Sequence, residues 1–283
     1  MQTLREALIN RPKNTSASLP EMAIKDFLNA NYSLKEGRYE LVKIHDKYYV
    51  NTQEPIKLEG STLDSLTGGL FKFGKVYAFS VIGCPNIETL EGAPDVVIDD
   101  YVISDCMSLQ SLEGSPSHVK GLNISISNCP KITSLKGLPK HFSGSVTFHG
   151  IYIKNLIGCP SAFTRVHISN CSELLSLKGC PNTNQLTVEF CAKLKSLEGS
   201  PKWLENMDIA YCKNLKTLEG GPEVVQFTFN YQETGIKNFV GTPTSADKYI
   251  FTDNPNLKSD EGKENLAWAV MFRQDDVFVG SNR

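Results

Sequence analysis

Hydrophobic residues in this chain fall on a fixed grid. Ten glycines, Gly68, Gly92, Gly114, Gly137, Gly158, Gly179, Gly199, Gly220, Gly241 and Gly262, follow one another at intervals of 24, 22, 23, 21, 21, 20, 21, 21 and 21 residues. Five positions before each stands an aliphatic residue, from Leu63 and Ile87 through Leu215, Ile236 and Leu257. Two positions before stands a leucine in eight units and Phe239 in the ninth, with Asp260 breaking the column in the last. Upstream lie short alternating runs such as Ile124-Ser125-Ile126 and Leu186-Thr187-Val188. Strict alternation over so few residues predicts a strand with one face buried. A period near 21 with apolar positions locked to it predicts stacked units that share one core, a solenoid.

The polar positions predict how the coils turn. Three before each glycine the residue is Ser, Thr or Asn, all able to bond a nearby backbone group in a tight turn. The glycine permits positive φ, and the proline two residues later, from Pro94 through Pro243, stops a helix and sets an extended return. Units this short leave no room for a full helix, so extended or 3₁₀ segments are expected opposite the strands. Six of the eight cysteines (Cys84, Cys106, Cys129, Cys171, Cys191, Cys212) stand eight residues before a glycine, a row interrupted by Gly150 and Glu233. They read as reduced thiols beneath the turn, with no C-x-x-C pair and no metal expected. The composite L-x-L-x-x-C-x-x-L-x-x-L has the form of a leucine-rich repeat.

The repeat divides the chain into three parts. Residues 1–60 lack it and predict an N-terminal cap: helices near Thr3–Ile9 and over 20–30, then a hairpin turning at His45-Asp46. Residues 61–262 hold about ten repeats. Residues 263–283 predict a C-terminal helical cap, from the apolar run Glu264 to Phe272.

The unit Cys106-Met107-Ser108-Leu109-Gln110-Ser111-Leu112-Glu113-Gly114-Ser115-Pro116, met again from Cys191 to Pro201, resembles the repeats of leucine-rich-repeat proteins from tailed bacteriophages and bacteria. The resemblance covers roughly residues 60–262. It implies a capped leucine-rich-repeat solenoid with a parallel β-sheet on one face. It also implies a non-enzymatic scaffold that holds a protein partner, a phage or bacterial protein that binds and modulates a host factor.

Composition narrows the chemistry. A net charge of −2 over 283 residues supplies no global field for nucleic acid or anionic membrane. No apolar run approaches the length of a membrane span, and the first residues read as an ordinary helix rather than a signal peptide. The expected compartment is therefore cytoplasmic, in a bacterial or infected host cell. The five histidines sit in no spacing that assembles a nucleophile with a base, and no phosphate or dinucleotide loop occurs, so no cofactor is expected. Two surfaces stand out. Four before the glycine, Lys154, Lys195, Lys216, Lys237 and Lys258 predict a lysine ridge, able to meet phosphates or an acidic partner. On the outward strand face, His167, Glu189, Phe190, Asp208 and Tyr211 predict an aromatic patch rimmed by carboxylates, the expected site of a protein partner. The alternatives are a nucleic-acid scaffold using the lysine ridge and an enzyme with its site in the N-terminal segment.

Overall fold

A computed structural model of the chain describes residues 18–237 and 239–250 and the strand Val277–Phe278. Its elements, in order, are α1 (Leu19–Tyr32), β1 (Tyr39–Ile44), β2 (Lys47–Thr52), β3 (Ile56–Glu59), β4 (Lys72–Phe73), β5 (Lys75–Val76), β6 (Phe79–Ile82), β7 (Val96–Val97), β8 (Tyr101–Ser104), β9 (His118–Val119), β10 (Asn123–Ser127), β11 (Ser145–His149), β12 (Arg165–Ser169), β13 (Gln185–Glu189), β14 (Trp203–Ala210), β15 (Val224–Asn230), β16 (Lys248–Ile250) and β17 (Val277–Phe278). Eleven of these strands form one parallel sheet along the axis of a β-solenoid of about nine turns.

Alternation within each strand sets which side chains enter the core. In β13 Leu186 and Val188 are buried while Gln185, Thr187 and Glu189 face outward. Strict register repeats this from coil to coil, aligning Val166, Leu186 and Met207 in one buried column and Ile168, Val188 and Ile209 in the next. Leu194 and Leu197 close the same core from the return path, both fully buried. Fully burying each such side chain stabilises by about 1.5–3 kcal/mol.

The corners behave as the polar columns predict. The Ser111 hydroxyl accepts the Glu113 N–H at 3.0 Å, and Ser196 does the same for Glu198 at 3.0 Å. Gly179 has φ of 85°, and a Cβ there would lie 2.6 Å from the Ile157 nitrogen of the coil before. Only glycine lets adjacent coils approach so closely. On the stretches leading into β6, β8 and β10, β5, β7 and β9 form a second short parallel ladder. Among the described residues the return stretches are extended and turn segments, the first of the two expected forms, with no 3₁₀ helix.

One expectation about the cysteine row needs correction. Ser127 pairs with His149, which puts Gly150 beside Asn128 and Ile151 beside Cys129. Asn128 and Gly150 share positive φ values of 50° and 60°. Gly150 is therefore a corner residue, and the fully buried Ile151 occupies the cysteine position. Likewise Asp208 pairs with Asn230, so Glu233 (φ 53°) follows Tyr211 in the corner column, and the buried Thr234 stands where Cys212 stands. Each of these two coils has lost one residue between that position and its glycine, so counting back from the glycine slips by one. All eight cysteines are free. Burial pushes the Cys180 thiol up to about 12, and Cys84 is raised too, first by its hydrogen bond to Cys106 and then by burial.

At the N-terminal end, α1 starts where the Glu21 carboxylate accepts the Ser18 N–H at 3.0 Å, one half of a capping box. Ile24 and Leu28 enter the solenoid core beside Ile56 and Leu58 of β3. The β1–β2 hairpin turns at His45-Asp46, with His45 at φ 54°, and β4 adds to it in parallel. The expected helices near Thr3–Ile9 and Glu264–Phe272 lie outside the described residues. At the far end β17 pairs with β16 and continues the sheet.

Candidate partner-binding face

The outward side of the main sheet is a lattice of short polar columns. One reads Ser125, Thr147, His167, Thr187, Asp208, Asn230, and the next reads Ser127, His149, Ser169, Glu189, Ala210. Neighbours within a column lie one strand spacing apart, about 4.8 Å. The strand ends run into a corner column of positive φ: Asp105, Asn128, Gly150, Asn170, Phe190, Tyr211 and Glu233.

Most of the corner column carries residues suited to a left-handed backbone. Phe190 (φ 54°) and Tyr211 (φ 57°) are bulky exceptions. Their rings stack face to face, centroids 4.4 Å apart and planes within 3° of parallel, yet they remain 46% and 37% exposed. A left-handed residue costs about 1–2 kcal/mol, while an aromatic pair returns about 0.5–1.5 kcal/mol. The stack thus offsets only part of the strain of two such residues, and folding alone does not account for the pair.

The sequence predicts five patch residues, and the structure brings them onto adjacent coils in a different arrangement. The aromatics lie at the edge where the strands end, not at the centre. His167 and Glu189 sit on β12 and β13, with Nε2 3.8 Å from Oε2, an ion pair when the imidazole is protonated. Nε2 is shielded from solvent and makes no hydrogen bond. Asp208 sits one column inward, where its carboxylate accepts the Asn230 amide at 2.9 Å. Burial first and the Glu189 carboxylate second raise its pKa above the ordinary aspartate value, against the lowering effect of Asn230.

Around Asp208 the face sinks into a depression of about 230 Å³ whose polar lining is Gln185, Thr187, Asn206, Asp208, Thr228 and Asn230. Sequence reasoning missed all of these except Asp208. Just before Thr228, β15 carries a bulge in which Gln226 and Phe227 together oppose Glu205. Such bulges re-aim side chains, and Phe227 is left 44% exposed. The extra residue of the bulge also shifts the count from the strand's start, so neither that count nor the one back from Gly241 places Asn230 beside Asp208.

The lysines of the predicted ridge are neighbours in successive coils. Leu175 N–H donates to the Lys154 carbonyl at 2.9 Å, Lys195 to Leu175 at 3.0 Å, and Lys237 to Lys216 at 3.4 Å. All four are exposed, and among the described residues none forms an ion pair. The Lys216 ammonium instead donates to the Lys213 carbonyl at 2.9 Å. Lys258 lies outside the described residues.

No three His, Cys, Asp or Glu side chains among the described residues come together as a metal site. No helix among them is long and apolar enough to cross a membrane. Comparison with known proteins finds no matching family model, no similar curated protein and no similar solved structure.

Proposed function

We propose that this chain is a non-enzymatic leucine-rich-repeat scaffold that holds a protein partner on the C-terminal part of its outward sheet face. The observation that carries this reading is the Phe190–Tyr211 stack: two bulky residues kept exposed at strained backbone positions. Strain maintained where folding does not require it points to function. Aromatic anchors desolvated on binding often contribute 2 kcal/mol or more each, and the adjacent carboxylates tune rate and salt dependence. By resemblance alone, the setting is the cytoplasm of a bacterial or phage-infected cell, and the partner a host factor whose activity is modulated.

The test is partner capture from such a cell followed by affinity measurement. Phe190→Ala with Tyr211→Ala weakens binding about a hundredfold, roughly 2.7 kcal/mol, while Ser125→Ala with Ser127→Ala leaves affinity unchanged. Full affinity in the aromatic double variant would move the site elsewhere on the molecule.

The lysine ridge supports a second reading, because its ammonium groups are exposed and unengaged by carboxylates. A ridge of this kind tracks a phosphate backbone, and its affinity falls steeply with salt. The expected outcome is weak, sequence-independent binding of DNA or RNA that disappears near physiological salt and in the Lys195, Lys216 and Lys237→Glu variant. Tight binding that survives physiological salt would place nucleic acid ahead of a protein partner.

A further inference from the structure

The depression around Asp208 contains an acceptor that the fold leaves unused. Asn230 is 9% exposed, and its Oδ1 is shielded from solvent and takes no hydrogen bond. Its amide orientation is fixed, because Nδ2 donates to Asp208 Oδ1 at 2.9 Å and a carboxylate accepts only from the nitrogen end. An unsatisfied buried acceptor is destabilising, so a donor is called for from outside the chain.

The surroundings select the kind of donor. Asp208 supplies a carboxylate one strand away, and Thr187 and Thr228 add hydroxyl oxygens to the lining. Glu189 adds a second negative charge, close enough to raise the Asp208 pKa. Two neighbouring acceptors are already used: Gln185 Oε1 takes the Arg165 Nε–H at 2.8 Å, and Asn206 Oδ1 takes the Thr228 N–H at 3.2 Å. The acceptors left without a donor are therefore Asn230 Oδ1 and the Asp208 oxygens beyond the one that takes the Asn230 amide, on neighbouring strands, a set suited to the several N–H donors of a guanidinium.

We infer that this depression receives an arginine side chain of the partner, its guanidinium held between Asn230 Oδ1 and the Asp208 carboxylate. The inference rests on the protein-partner reading and names the chemistry that this partner must present: a basic segment with an arginine at the contact.

Argininamide serves as the probe, added to the full chain and followed through backbone amide NMR signals. Saturable shifts at Thr187, Asp208 and Asn230 are expected, with none from the neutral isostere citrullinamide. Asp208→Asn, which preserves shape, weakens argininamide at least tenfold, and its unchanged thermal melt confirms the fold. Absence of saturable shifts, an equal response to citrullinamide, or undiminished binding in Asp208→Asn would overturn the inference. Equal affinity for lysinamide would overturn the choice of guanidinium. The readout uses the free chain, so it is independent of capture. A chain that binds argininamide, but whose captured partner ignores Asp208 and both aromatics, would sink the partner reading alone.

Discussion

Two stretches of the same sheet face share one backbone and differ in what their side chains leave undone. Across β8 and β10 the polar groups consume one another. Ser127 donates to Ser104 at 3.0 Å, Asn128 to Asp105 at 3.0 Å, and Asn123 to Asp100 at 3.2 Å. Across β12 to β15 the lattice is less complete: His167 Nε2 and Asn230 Oδ1 take part in no hydrogen bond, and two aromatic rings remain partly exposed. In the first stretch these side chains bond one another within the chain. In the second, internal bonds such as Asn230 to Asp208 stand beside buried polar atoms left without one, which costs stability.

The contrast can be broken at three depths. The deepest is the shared core. Leu197 is fully buried between coils, so Leu197→Ala is expected to destabilise the fold by about 2–5 kcal/mol. Because coils couple to their neighbours, hydrogen exchange should quicken on both stretches of the face. An unchanged melting temperature would refute this coil register. Next come the surface aromatics, where the expected loss lies in affinity and not in the melt. The smallest effect sharpens the contrast most. Phe190→Asn places at a left-handed corner the residue type found at Asn128 and Asn170. Relief of about 1–2 kcal/mol of strain against loss of about 0.5–1.5 kcal/mol of stacking leaves stability from about 0.5 kcal/mol lower to about 1.5 kcal/mol higher, while partner binding falls. A clear drop in stability, read by denaturant titration, would show that the stack exists to hold the coils together.

The repeat made much of the fold legible, since every coil restates the same information. The buried columns, the serine turns and the β1–β2 hairpin all follow from alternation and turn residues. The site was legible only in part. His167, Glu189 and Asp208 could be assigned to one face because their coils keep the full count to the glycine. Asn230 could not, because the bulge adds a residue within its strand and one is lost between Thr234 and Gly241, so a count from either end slips by one. The corner conformation of Phe190 and Tyr211 was hidden for a different reason. Asn and Gly announce a left-handed backbone, and aromatic residues do not. The β15 bulge left no local signature at all, as neither Gln226 nor Phe227 is a residue that breaks a strand.

The packing of α1 against β3 has a consequence for how the molecule behaves among its own copies. A parallel sheet that lengthens by one strand per coil never closes on itself, so each end is a row of backbone groups shaped to accept another strand. At the N-terminal end, Ile24 and Leu28 occupy the apolar surface beside Ile56 and Leu58 that a further coil would otherwise cover. The helix cannot extend the ladder, because its own N–H and C=O groups are already paired along its axis. A further strand adding at this end would first have to displace it from that surface.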